Sequence, residues 1–226
     1  RKKHGHAPPK EAEANPWKEV HVDMMGPLTV TDANGKKHAL LAFTATGPAA
    51  GWLGCVPAPG AKSYAAMEAF NSAWLCRYPR PSAVRFDSGA ELKSASGAMR
   101  SSFHMKKKPA ASYNPRASGI TERVRQVLRG NLATFGLGKA ELPEANPFGS
   151  FAAAASWAAR SACRAALKAT PGQLVFGRDM LLDLKFKADW AGIRLRKQNL
   201  IGKGAAEESR GRVQHGCKAG GKALRA

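Results

Sequence analysis

Three acidic residues, Asp23, Asp87 and Glu122, have types and surroundings that allow joint chemistry. Each alone has an ordinary structural role. Asp23 suits a turn at a strand end, Asp87 an Asx-turn before Ser88-Gly89, and Glu122 the first turns of a helix. Brought together, three carboxylates would repel one another and rise in pKa unless a cation sat between them. Hard oxygen ligands with open coordination positions select Mg²⁺ or Mn²⁺. Two such ions activate a water or a 3′-hydroxyl and stabilise the leaving oxygen of an in-line displacement at a phosphodiester.

No competing constellation is present. The sequence has no G-x-S-x-G, no P-loop and no Cys/His pairing at a motif spacing. Cys55, Cys76, Cys163 and Cys217 are widely separated, so neither a zinc module nor a disulfide framework is expected, and a reducing compartment fits. His4 and His6 read as part of a solvated tail. Arg125, Gln126 and Arg129 follow Glu122 by three, four and seven positions and share its helical face. With Arg116 and Arg123 they are candidate contacts to DNA phosphates. The alternative reading is a solvated charged stripe.

Composition supports a polyanionic partner. Lys and Arg number 36 against 16 Asp and Glu, a formal net charge of +20 with a pI of about 10.3. Nucleic acid neutralises such charge with release of its own condensed counterions. The alternative is a generally basic protein without that partner. No apolar run reaches the roughly 18 residues that span a bilayer, so no membrane partner is expected. The first residues, RKKHGH, are not followed by the apolar segment of a secretory signal, and the chain reads as a piece of a longer polypeptide.

The elements that must position the acids follow from pattern. A length of 226 residues fits one α/β domain with less structured ends. Residues 1–16 read as a charged, proline-bearing exposed linker, with the fold starting at Trp17. Strands are expected at Glu19 to Met25, His38 to Thr46 and Trp52 to Pro57, the first two joined by a hairpin through Asn34-Gly35. Together they form an antiparallel meander. From Ser63, apolar residues at Met67, Phe70, Trp74 and Tyr78 predict an amphipathic helix ending at Pro79. Ser82 to Phe86 predicts a strand that delivers Asp87, next to the first strand and its Asp23. A weakly specified helix follows near Ala90, then a short fifth strand within His104 to Ala110 and a helix opened by Asn114-Pro115. A further helix is expected from about Pro147 to Lys168, using Phe151, Trp157 and Leu167. Beyond Asp189 the basic, glycine-rich chain reads as a disordered tail. This succession predicts an α/β fold with a mixed five-stranded sheet flanked by helices, as in the ribonuclease H-like architecture.

These segments resemble the integrase catalytic core of gypsy-class long-terminal-repeat retrotransposons and of retroviral-type polyproteins. PWKEVHVDMMGPLTV is similar to the family's tryptophan, Val-Asp and Gly-Pro passage. WLCRYPRPSAVRFDSGAEL resembles its helix, strand and Asp-Asn-Gly-x-Glu-Phe passage. YNPRASGITERVRQVL resembles its Asn-Pro-Gln-x-Asn-Gly-x-x-Glu-Arg signature, and ATPGQLVFGRDM the segment that closes the core. The likeness covers about residues 17–180, leaving 181–226 as a basic C-terminal extension. It departs from the family at Arg116, usually glutamine; Ser118, usually asparagine; Gly47, commonly acidic; and Leu92, usually phenylalanine. None of these removes a carboxylate.

The resemblance implies that Asp23, Asp87 and Glu122 are catalytic ligands of two Mg²⁺ or Mn²⁺ ions. It implies an enzyme that performs 3′-end processing and strand transfer of element DNA into a target, works as a homo-oligomer and acts in the nucleus. The zinc-binding His/Cys module that precedes the core in the family is not in this chain. Two alternatives stand beside that reading: a nuclease or transposase of the same fold, and a decayed copy that binds nucleic acid without catalysis.

Overall fold

Strand β1 (Glu19–Thr31) places Val20 and Val22 on one face and Glu19, His21 and Asp23 on the other, because successive strand side chains point to opposite sides. The structure, a computed structural model, describes residues 11–31, 36–58, 60, 63–86, 106–109, 126, 130 and 148–210. Strand β2 (Lys37–Gly47) pairs antiparallel with β1, and β3 (Trp52–Pro57) antiparallel with β2. Strand β4 (Ala83–Phe86) lies parallel to β1, and β5 (Lys106–Pro109) parallel to β4. The sheet order is β3-β2-β1-β4-β5, so the expected meander, the five-stranded mixed sheet and the adjacency of the first and fourth strands all hold. β1 runs past its expected end at Met25, with a register shift between Met25 and Leu28 around a cis Gly26-Pro27 bond.

The valine face is covered by α1 (Ser63–Phe70) and the π-helical turn Asn71–Leu75 that continues it. Val20, Val22, Phe43, Ala45, Trp52 and Val84 pack there against Ala66, Ala69, Phe70, Ala73 and Trp74. The expected single helix thus changes pitch, with the Cys76 amide donating to the Asn71 carbonyl, 3.0 Å away. Strand and helix approach closely because Gly54 has no side chain. A Cβ there would stand 2.7 Å from the Ala73 carbonyl oxygen.

The opposite face is covered in part by α2 (Gly149–Ser161), where Phe148, Phe151, Ala152, Ala155 and Ala159 meet Met25, Ala42, Leu53 and Cys55. This helix is shorter than the span expected to reach Lys168, and Trp157 lies 48% exposed rather than in the core. The chain leaves the helix at Ala162 and folds into a loop in which the Arg164 amide donates to the Ala169 carbonyl. That turn carries Leu167 and Ala169 into a third apolar cluster with Ala50, Leu174 and Ile193. Thr170 and Gln173 then form a reciprocal capping box at the start of α3 (Pro171–Phe176), with Pro171 in its first turn. The sequence reading missed this helix although T-P-G-Q spells out its beginning.

Two expectations about the chain ends are corrected. Of the residues after Asp189, Trp190–Ser209 form α4, capped by the Asp189 carboxylate, which accepts from the Gly192 amide at 2.9 Å. Ile193 of this helix is buried, and Lys197 Nζ donates to the carbonyls of Glu13, Pro48 and Ala49, each 2.8 Å away. Among residues 11–16, Ala12 is buried, and its amide donates to Gln198 Oε1 at 2.9 Å. Tertiary contacts thus outweigh the roughly 1 kcal/mol that each glycine in α4 costs its helix. The hairpin tip at 32–35 and the helix expected near Ala90 lie outside the described residues. Of the helix expected after Asn114-Pro115, Gln126 and Gly130 are described, both helical.

Replacing Lys197 by methionine is expected to lower stability by about 1–3 kcal/mol, because three carbonyls lose their donor. Urea unfolding measures the loss, and faster tryptic cleavage after Arg194 and Arg196 reports release of α4. An unchanged midpoint with unchanged cleavage would refute this role.

Candidate active site

The alternation Glu-Val-His-Val-Asp gives β1 its polar face. Glu19, His21 and Asp23 are 5%, 7% and 8% exposed, beside Thr44 and Thr46 of β2 at 1% and 0%. Asp23 is in register with Thr44, and His21 with Thr46. Thr44 Oγ1 donates to the Asp23 carbonyl oxygen at 3.2 Å. On the far side of β1, His21 is in register with Arg85 and Val22 with Phe86.

A charged cluster spans the β1/β4 junction. Glu19 Oε1 accepts from Arg85 Nε at 3.0 Å and lies 2.9 Å from His21 Nε2. The side chains of Glu19 and His21 are 5% and 8% exposed, and that of Arg85 is 16% exposed. Charge-assisted bonds of this kind satisfy groups that would be costly to bury alone. The sequence reading passed over all three residues. The signal was available: an acid and a histidine at alternate positions of a strand whose intervening positions are valines.

Of the proposed ligands, Asp23 is in place on the central strand, while Asp87 and Glu122 lie outside the described residues, as do Arg116, Arg123, Arg125 and Arg129. Gln126, on the expected Glu122 face, is exposed. Among the described residues, no group of three His, Cys, Asp or Glu side chains is arranged to hold a metal ion. Asp23 itself fits a hard divalent cation, since it offers carboxylate oxygens on a hydroxyl-lined part of the sheet.

The soft donor nearby is unsuited to chemistry. Cys55, in register with Thr44, has its thiol pushed up to about 12 by burial, against a smaller opposing pull from Arg160. Thiolate is the nucleophile and metal ligand, so Cys55 acts as a small apolar core residue. Arg160 is tied down by its own contacts: Nε donates to the Leu53 carbonyl at 2.6 Å, and the guanidinium lies 4.4 Å from the Trp52 ring centroid. Burial lowers the pKa of Arg160, with a smaller opposing effect from Tyr78.

No family model matches the chain, and no curated protein matches it. Solved structures do. The HTLV-2 integrase catalytic core domain in complex with magnesium, in its trimeric form, is 17% identical with a TM-score of 0.53, over 70% of this chain and 96% of that one. The catalytic core domain of BIV integrase is 14% identical with a TM-score of 0.52, over 70% and 93%. A chain of the simian T-cell lymphotropic virus intasome in complex with PP2A regulatory subunit B56 gamma is 16% identical with a TM-score of 0.62, over 84% of this chain. The match spans 64% of the length of that intasome chain. The chain therefore has the fold of retroviral integrase catalytic cores, the ribonuclease H-like sheet flanked by helices.

Cys55 is expected to resist a thiol reagent at pH 8 in the folded protein, whereas the exposed Cys76 and Cys163 react. Cys55→Ser should leave the number of fast-reacting thiols unchanged, and one fewer would overturn the assignment. The sign of the pH effect follows from the raised value. Its stabilisation is complete below the ordinary thiol value of 9.0 and is lost as the pH climbs from there toward about 12.

Proposed function

We propose that the chain is the catalytic core of a DNA-integrating enzyme that works by metal-dependent polynucleotidyl transfer, with Asp23, Asp87 and Glu122 as its metal ligands. The observation that carries this reading is the parallel register of β1 and β4. Val22 stands beside Phe86, and the next residue in the sequence after each is an aspartate. Neighbouring strands lie about 4.8 Å apart, so the ladder ending at Val22 and Phe86 suits acids that follow those two residues to share cations. The fold agrees, since proteins that share it are integrase cores, one of them solved with magnesium.

In this reading the three carboxylates supply hard oxygen ligands for two Mg²⁺ or Mn²⁺ ions. Bound there, the ions would activate a water or 3′-hydroxyl and stabilise the leaving oxygen. The protein's own work is positioning: β1 holds Asp23 in its ladder with β2, one residue beyond the end of its ladder with β4. Arg116, Arg123, Arg125 and Arg129 would follow the DNA phosphates, and the net charge of +20 would draw element ends and target DNA to the surface. The HTLV-2 core was solved in dimeric and trimeric forms, which supports an oligomeric assembly for this chain as well. A nuclear location goes with the same reading. No described helix is long and apolar enough to cross a membrane.

Recessed element-end DNA incubated with the protein and Mg²⁺ or Mn²⁺ should yield joined products. Asp23→Asn, Asp87→Asn and Glu122→Gln should each reduce joining by about 100-fold or more, beyond the 10–100-fold typical of residues that merely support a ligand. Salt-sensitive DNA binding should persist in all three. Cleavage without joining would indicate a nuclease of the same fold. A folded protein that binds DNA without metal-dependent activity would indicate a non-catalytic DNA-binding copy.

A further inference from the structure

One oxygen joins the two strands that lead to the proposed site. Glu19 Oε1 meets Arg85 Nε at 3.0 Å and His21 Nε2 at 2.9 Å. His21 stands two residues before Asp23, on the same face of β1, and Arg85 stands two residues before Asp87 in the sequence. The parallel ladder beneath this contact is short, running only from Glu19 with Ala83 to Val22 with Phe86. A parallel pair is slightly less stable per residue than an antiparallel one. A nearly buried, charge-assisted contact across so short a ladder restrains how the two strands slide and splay.

We infer that Glu19 is a positioning residue: by gripping His21 on its own strand and Arg85 on the next, it sets the relative placement of the strand ends that lead to Asp23 and Asp87. This rests on the polynucleotidyl-transfer reading above. Glu19 is not itself a ligand. It stands four residues before Asp23, about 13 Å along an extended strand. Its carboxylate is engaged by the guanidinium, which also balances a further negative charge on the face that carries Asp23. Outer residues that orient metal ligands characteristically alter metal affinity 10–100-fold when replaced.

The test compares Glu19→Gln, Arg85→Met and the double variant with the full wild-type chain. Mn²⁺ binding is followed by electron paramagnetic resonance without DNA, and joining is measured as a function of Mn²⁺ concentration. Glu19→Gln is expected to weaken Mn²⁺ binding about 10-fold and to raise the half-saturating Mn²⁺ for joining by a similar factor. DNA affinity should stay within about twofold, since no phosphate contact is touched. Because both single changes break one contact, the double variant should be no worse than the poorer single variant, where independent effects would multiply. Arg85→Met carries the test alone if Glu19→Gln does not fold. Wild-type joining with unchanged Mn²⁺ binding in the folded variants, or multiplicative losses in the double variant, would overturn the inference and leave the function standing. A wild-type chain that neither binds Mn²⁺ nor joins DNA would overturn both.

Discussion

Strand β1 is held between ladders of opposite sense, antiparallel to β2 on one side and parallel to β4 on the other. An antiparallel neighbour can follow through a tight turn, but a parallel one requires the chain to cross back over the sheet. Here α1 and the π-helical turn make that crossing, and their apolar side closes over Val20, Val22 and Val84. The crossing therefore builds one half of the core and also brings the strand ending at Phe86 beside Asp23. The proposed approach of Asp87 to Asp23 depends on this single parallel pairing.

The two faces of the sheet solve different problems. Behind β1, large rings from Phe43, Phe70, Trp52 and Trp74 fill the interior, and alanines allow the helix to sit close. In front, the apolar contact with α2 is confined to Met25, Ala42, Leu53 and Cys55, while the Glu19 to Asp23 stretch is polar and buried. Buried polar groups are costly unless satisfied, and the Glu19, His21 and Arg85 contacts offset that cost.

The segments before and after the sheet are bound to each other. Ala12 and Glu13 meet Gln198 and Lys197, and Lys197 also holds the turn after β2 through Pro48 and Ala49. Trp17 adds an aromatic contact to the same end of the molecule, stacking on Tyr78 with ring centroids 5.3 Å apart and approaching Phe176. The basic chain after Asp189 thus contributes to the fold through a few directed bonds and one buried isoleucine.

Trp52 to Pro57 matches its expected bounds residue for residue, with Trp52 through Cys55 all buried, because a short apolar run between turn residues is a local property. The three acids are proposed as a set because each lies in a recognisable local setting in the sequence. What the local pattern could not contain was partnership. The grip of Glu19 on Arg85 joins residues 66 positions apart. The exposure of Trp157 depends on which side of α2 meets the sheet, and α4 is held where Lys197 donates to the distant carbonyls of Glu13, Pro48 and Ala49. Sequence by itself determined the five strands, the succession that specifies the fold, and the set of acids proposed as metal ligands. Only the tertiary structure decided which charges are paired, which aromatic rings are buried and which glycine-rich stretch is helical. Those outcomes turn on contacts between distant segments, whose energies no local periodicity records.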